Sequence, residues 1–526
     1  RVMACAKHFA LNSIEETRRQ VDVRVDERTL REVYLPHFRR VVDADVAVVM
    51  SAYNRVNGDY CGENAHLLRE ILKDEWGFRG FVVSDWFWAV TSGVKAARAG
   101  LDLEMPIVDA YGGKLVTAVS RGEVDEGLID EAVLRILRRR VEYAARPDDM
   151  AYDARLVRAP AHAEYARRVA EESVVLLENR GALPLDRART RSVALLGPLA
   201  GAENLGDRGS SRVRPAEAVT LLEALGAELG ASGRLLYEPG SDLAAARAAA
   251  RAAEAAVVVV GFTALDEGEY IPEFPREDRG GDRRQLGLPP QQQALVEAVA
   301  AENPRTVVVL VGGAAIAVEG WRDRVAALVM AFYPGEQGGP ALARILFGDV
   351  NPSGKLPFTV PKDASQLPPF DNRSAAVDYG YYHGYTLAEK QGFEPTYPFG
   401  HGLSYTTYRY SNLTLPSDRV PADGILRASV DVTNTGRRAG REVVQLYVGF
   451  GDSKVDRPVK LLRGFEKVAL AAGETRTVSF AVPARDLAYY DAAARHWVVE
   501  RAPHRVLVGP SSRAADLLEA RFTIVD

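Results

Sequence analysis

Asp85 stands beside Trp86 at the end of Gly80-Phe81-Val82-Val83-Ser84-Asp85-Trp86, the most chemically pointed run in the chain. A carboxylate next to a flat aromatic surface suits the cleavage of a bond between sugars. Lys7-His8 pairs a cation with an imidazole, which together donate several hydrogen bonds to vicinal hydroxyls. Tyr53, in Ser51-Ala52-Tyr53-Asn54, is placed to hydrogen-bond a carboxylate nucleophile. A second acidic group occurs in Asp266-Glu267-Gly268-Glu269, which opens a long polar stretch reaching Arg284. Long polar loops inside compact domains are more often functional than not, so this one is a candidate source of a proton donor. Each group also has a plainer reading. Asp85 could be an ordinary strand-to-helix turn residue, Tyr53 a packed core tyrosine and the acidic run a solvated turn. Trp88 reads as core, and Glu15 with Arg18 as an ion pair at helical spacing.

These residues need elements to hold them. Phe81 to Val83 are too few for a helix and rich in β-branching, so they read as a buried strand whose carboxyl end carries Asp85. In a barrel of parallel strands that end faces the active site. Val46-Ala47-Val48-Val49-Met50 is a second apolar strand, with helices expected over 64–76, 92–99 and 130–143. Strands alternating with helices imply parallel β/α units, and about four strands make half of an eight-fold barrel. After a linker at 145–150, a helix over 161–175 and an Ala-rich helix over 243–256 accompany apolar runs at 193–196, 257–261, 306–313 and 327–332. Continuous apolar strands of this kind fit a sheet covered by helices on both faces. Residues 364–408 are rich in Tyr, Pro and Gly and read as an ordered connection. From about 426 the apolar residues alternate with period two between turn signals, the pattern of an antiparallel β-sandwich of about 100 residues.

Composition narrows the function classes. With 526 residues, about three domains are expected. A net charge of −5, from 66 basic and 71 acidic residues, gives no global field for nucleic acid or an anionic surface. No apolar run approaches a membrane span. Cys5 and Cys61 cannot build a disulfide framework and read as buried reduced thiols. Gly206-Asp207-Arg208-Gly209-Ser210-Ser211 and Val311-Gly312-Gly313-Ala314 match no phosphate-binding spacing. The chain begins at Arg1 with no lead-in, so it reads as a fragment or one half of a split protein, and cytoplasmic and secreted locations both stay open.

Taken together, the motifs resemble family 3 of the glycoside hydrolases, most closely its β-glucosidases. Lys7-His8-Phe9 with Asn12, Glu15 and Arg18 is similar to the family's first signature. Met50 to Gly58, Gly80 to Trp86 and Gly100 to Pro106 match later blocks, as do Ser173 to Asn179, Tyr333 to Gly339, Asn351 to Pro357 and Pro398 to Thr406. The resemblance implies the carboxyl-terminal part of a TIM-like (β/α)8 barrel over 1–145 and an α/β sandwich carrying the acid/base loop over 160–362. A connecting segment at 363–424 and a fibronectin-III-like domain over 425–526 complete the implied arrangement.

What the resemblance implies chemically is retaining hydrolysis that releases terminal β-D-glucose. Asp85 is the implied nucleophile and Glu269 the implied acid/base, with Glu267 as runner-up. Their carboxyls are expected about 5–5.5 Å apart. Lys7, His8, Tyr53 and Trp86 would bind the sugar. No metal or cofactor is implied, the partner is a β-glucoside or oligosaccharide, and a homo-oligomer stays open. Two departures stand out. The family barrel has an amino-terminal half that supplies an Asp and an Arg to the sugar site, and neither is found here. The Glu-Gly-x-Asp-Arg of many members is replaced by Arg279-Gly280-Gly281-Asp282-Arg283. Three alternatives follow: a β-xylosidase or an α-arabinofuranosidase of the same family, or a non-catalytic carbohydrate-binding fragment.

Overall fold

The computed structural model describes residues 2–148, 152–273, 275 and 280–526. Parts of the expected 145–150 linker, and Arg279 of the polar loop, lie outside the described residues. The chain divides into two compact units. Arg1–Tyr152, Phe370–Tyr381 and Tyr489–Val498 form one; Asp153–Pro369, Tyr382–Ala488 and Val499–Asp526 form the other.

The first unit is built on four parallel strands. Val48–Ser51 pairs with Cys5–Phe9 on one side and with Phe81–Trp86 on the other, and Phe81–Trp86 pairs in turn with Leu103–Met105. Alternation along the strands splits their side chains between two cores. Phe9, Val49 and Val82 pack with Leu67, Leu68, Ile71 and Leu72, whereas Val48, Met50, Phe81 and Val83 meet Ile136 and Tyr143. Both faces are therefore covered, as parallel sheets require. The helix expected over 64–76 forms at His66–Glu75, with π-type hydrogen bonding. The next helix, Gly93–Ala99, starts at a Ser92 cap that accepts from the Lys95 amide and stops at Gly100, whose φ of 101° only glycine adopts readily.

Two local readings are corrected. Asn12 lies in irregular chain, Glu15 in a bend and Arg18 in a turn instead of a helix: Arg18 N donates to Glu15 O at 3.3 Å and Gln20 N to Thr17 O at 2.8 Å. Turns bonded from i to i+3 produce the same spacing as a helix, and the Glu15–Arg18 ion pair still forms at 3.0 Å. Cys5 is exposed at the start of its strand, whereas Cys61 is buried, so only one of the two thiols is a core group.

The second unit holds a six-stranded sheet. Arg234–Glu238, Ser192–Leu196, Ala255–Gly261, Thr306–Val311 and Ala327–Met330 run parallel in that order, and Val175–Asn179 closes the edge antiparallel to Ala327–Met330. The helix read into 161–175 ends at Ser173, because β-branched Val174 and Val175 favour the extended strand that follows. Side chains again alternate. Val193 and Leu195 join Leu225 and Leu342 on one face, and Ala194 and Leu196 join Leu295 and Val299 on the other.

The same unit contains the β-sandwich. Ile425–Asn434 lies between Tyr408–Thr414 and Thr475–Pro483 in one sheet, with every second residue buried. Gly440–Phe450 lies between Pro503–Gly509 and the edge strand Leu461–Leu470 in the five-stranded partner sheet. Two excursions group with the first unit instead. Ala376–Asp378 adds a strand beside Asp22–Arg24, and Tyr489–Asp491 pairs with His496–Val498 in a hairpin. Among the described residues no helix is long and apolar enough to cross a membrane.

Candidate active site

Asp85 sits near the carboxyl end of Phe81–Trp86 and is only 7% exposed. Its Oδ1 accepts from the Trp86 amide at 2.8 Å. Its Oδ2 is buried without a hydrogen-bond partner and lies 3.4 Å from His8 Nε2. Leaving a buried acceptor unpaired costs about 1–3 kcal/mol. Ser84 steadies the backbone beside it: its hydroxyl donates to Asp85 O at 2.8 Å and accepts from Met105 N at 2.9 Å, tying two strands together.

The other residues expected around Asp85 gather in the same unit, with differences. His8 is half-buried on Cys5–Phe9, and Lys7 beside it is exposed. Tyr53 is buried, and its hydroxyl donates to Trp86 O at 2.8 Å. Burial pushes the Tyr53 phenol up, and the neighbouring Asp85 charge pushes it further, so it remains a donor. Trp86 is 38% exposed, leaving an indole face for stacking. Trp88 is not core: it is 44% exposed, and the Arg19 guanidinium lies 3.4 Å over its ring. The cause is a tight turn at Phe87, where φ is 66° and Trp88 N donates to Trp86 O at 2.8 Å. That turn throws three successive aromatics to the surface.

Buried carboxylates hold the segments around this strand end. Glu63 accepts from Thr91 N at 2.6 Å, Thr91 Oγ1 at 2.8 Å and Ser92 N at 2.8 Å, pinning the segment after Trp88. Glu104 accepts from the amides of Asp109, Ala110 and Tyr111 and shapes the loop after Leu103–Met105. Asp102 pairs with Lys73 at 2.8 Å and accepts from Val82 N at 2.7 Å, anchoring the start of the Asp85 strand. None of these three roles was read from the sequence. The usable signal was an acidic residue inside otherwise apolar or turn-like segments, since a buried charge must be paired.

In the second unit the acidic run follows Ala255–Gly261. Thr263 caps a short helix, Ala264–Glu267, through a reciprocal box with Asp266. Glu269 comes next. Its amide donates to Asp207 Oδ1 at 2.9 Å, and its Oε2 accepts from the Ser210 amide. Gly209 leaves room here, because a Cβ at this position would meet Glu269 Cβ at 2.6 Å as well as its carboxylate. The Gly206 to Ser211 segment, unpromising as a phosphate loop, is thus the seat of Glu269. Glu267 is held differently. Oε1 accepts from Tyr333 Oη at 2.6 Å and Gly313 N at 2.5 Å, while Oε2 lies 3.0 Å from Arg283 Nε. Those three partners are all donors, which suits a carboxylate that accepts, not an acid that gives up a proton.

Known proteins match along the whole chain. The Glycosyl hydrolase family 3 N terminal domain matches residues 1–139, the family 3 C-terminal domain 174–405, and a Fibronectin type III-like domain 442–512. Thermostable beta-glucosidase B of Acetivibrio thermocellus is 41% identical over 99% of this chain and 69% of its own length. An exo-alpha-(1->6)-L-arabinopyranosidase of Bifidobacterium longum is 36% identical over 96% of this chain and 67% of its own. The crystal structure of a beta-D-glucoside glucohydrolase from Trichoderma reesei superposes with a TM-score of 0.92 at 31% identity, covering 100% of this chain and 79% of that one. The order of the three domains and an identity of this size over nearly the full length make the chain a member of glycosyl hydrolase family 3.

Proposed function

We propose that this glycosidase hydrolyses terminal β-glucosides by double displacement, with Asp85 as nucleophile and Glu269 as acid/base. Hydrolysis of β-glucosides is the activity named for its relatives from Acetivibrio and Trichoderma. The observation that carries the assignment of Asp85 is its nearly buried carboxylate, with one unbonded oxygen beside His8 and an exposed indole next in the chain. Asp85 attacks the anomeric carbon, the bond to the leaving oxygen breaks, and Glu269 gives its proton to that oxygen. Water then attacks the same carbon, Glu269 takes its proton, and the Asp85 ester bond breaks to release glucose. Lys7 and His8 donate hydrogen bonds to the sugar, Tyr53 steadies the strand end beside Asp85 through Trp86 O, and Trp86 stacks on the ring.

Proton NMR of 4-nitrophenyl β-D-glucoside hydrolysis tests the reading. β-Glucose is expected as the first product, turning slowly into the α anomer. First appearance of α-glucose would exclude a covalent nucleophile. A second reading, arabinosidase activity, is favoured by the Bifidobacterium relative. It wins if 4-nitrophenyl α-L-arabinopyranoside is turned over with the higher kcat/KM.

A further inference from the structure

The loop that carries Glu269 is closed at its neck. Gly281 N donates to Gly268 O at 2.9 Å, so the chain returns to the point it left before the excursion began. One residue outside that backbone bond on one limb and two on the other, Glu267 meets Arg283 at 3.0 Å, with side chains 12% and 11% exposed. Neither partner is isolated. Arg283 lies 4.4 Å over the Phe262 ring and donates to Ala315 O at 2.7 Å. Glu267 is fixed from its other side by Tyr333 Oη and Gly313 N. The ion pair therefore ties both limbs of the loop to the ends of the neighbouring strands Thr306–Val311 and Ala327–Met330. Burial pushes the Tyr333 phenol up, and its bond to Glu267 adds to the rise, so this donor keeps its proton at any working pH.

Glu269 is the first residue inside the neck. The backbone that sets the height of its carboxyl is thus fixed by the clasp on one side and by Asp207 on the other. We propose that the Glu267–Arg283 clasp is a positioning device for the proton donor, with Glu267 itself not giving a proton. The inference rests on the reading of Glu269 as acid/base. A misplaced acid slows only a step that needs the proton. Glycosides with poor leaving groups suffer and those with good ones are spared, a pattern that general loosening of the fold does not produce.

The test measures kcat/KM, which reports the first displacement, for phenyl and 2,4-dinitrophenyl β-D-glucosides with the full chain and its Glu267→Gln, Arg283→Lys and Glu269→Ala variants. Glu267→Gln and Arg283→Lys are expected to lose about tenfold or more on the phenyl glucoside and less than about threefold on the dinitrophenyl glucoside, with no rescue by azide. The two variants back each other up if one melts early. Equal losses on both substrates would overturn the positioning role. Formation of glucosyl azide by Glu267→Gln would overturn it differently, by making Glu267 the acid. Glu269→Ala should share the leaving-group dependence and form glucosyl azide. If it does neither, the assignment of Glu269 fails, and the clasp inference fails with it.

Discussion

The proposed nucleophile and the proposed acid are held by opposite means. Asp85 is on a strand paired on both sides, and its placement is inherited from sheet hydrogen bonds and two alternating cores. Glu269 is on a loop, and its placement comes from contacts with residues distant in sequence: Asp207 and Ser210 directly, and Arg283 and Tyr333 through Glu267. An attacking atom must meet a carbon along one line, and small misplacements are costly. A proton donor needs to reach an oxygen, and a well-stapled loop is sufficient. The difference should show in how each carboxylate fails. Loss of Asp85 itself should be nearly all-or-none, while loss of Glu269 or its supports should be graded and depend on the leaving group.

The largest effect should come from the two carboxylates themselves. Asp85→Asn should lower kcat about 10⁴-fold or more on every glucoside. Glu269→Ala should lose about 10²–10⁴-fold on the phenyl glucoside and far less on the dinitrophenyl one. Similar leaving-group profiles for the two variants would break the contrast.

A smaller effect is expected at Glu63. Glu63→Ala strands three donors around Thr91 and Ser92, costing about 2–4 kcal/mol in stability. The displaced segment after Trp88 should lower kcat/KM roughly 10–100-fold. Glu63→Gln keeps an acceptor oxygen and should recover most of both, read by thermal melting and steady-state kinetics. Unchanged kinetics in Glu63→Ala would mean that the strand alone is sufficient.

The smallest effect on activity concerns pH, which acts through stability alone. In the second unit His401 has its Nε2 2.9 Å from Leu177 O, and burial pulls its pKa down to about 4. The unfolded chain takes up this proton near pH 6.5 and the folded one only near 4, so stability falls as pH drops across that window. The loss is on the order of 3 kcal/mol by pH 4. In the first unit, burial alone would raise Glu27, but hydrogen bonds from His66 and Arg31 hold it at about 2. Its contribution is complete above about 4.5 and is lost only as pH falls toward 2. Urea melts between pH 7 and 4 should therefore show a slope for the second unit that His401→Gln flattens. Identical slopes for the two proteins would contradict this.

The same contrast explains what could be read from the sequence. Phe81 to Val83 announce a strand by composition alone, so the position of Asp85 at its end was legible without a relative. The two-faced cores at Val193 to Leu196 and Val257 to Val260 were legible for the same reason. The acidic run was legible as a polar loop, but the choice of Glu269 within it came only through resemblance, because its seat at Asp207 and Ser210 lies some sixty residues away and follows no local period. The Glu63 and Glu267 contacts were invisible for that reason too. Trp88 was misread because hydrophobicity says bury it, whereas a tight turn at Phe87 and the Arg19 cation keep it outside. Patterning reports what faces a core, and it is silent about which polar groups meet across it.

The central claim is that Asp85 forms a covalent bond to the sugar. Treating the active enzyme with a 2-fluoro-glucosyl donor and mapping the labelled peptide tests it most directly. One equivalent of label on Asp85, in the peptide containing Ser84 and Trp86, is the predicted result. Label on any other carboxylate, or turnover with no trapped intermediate, would contradict it.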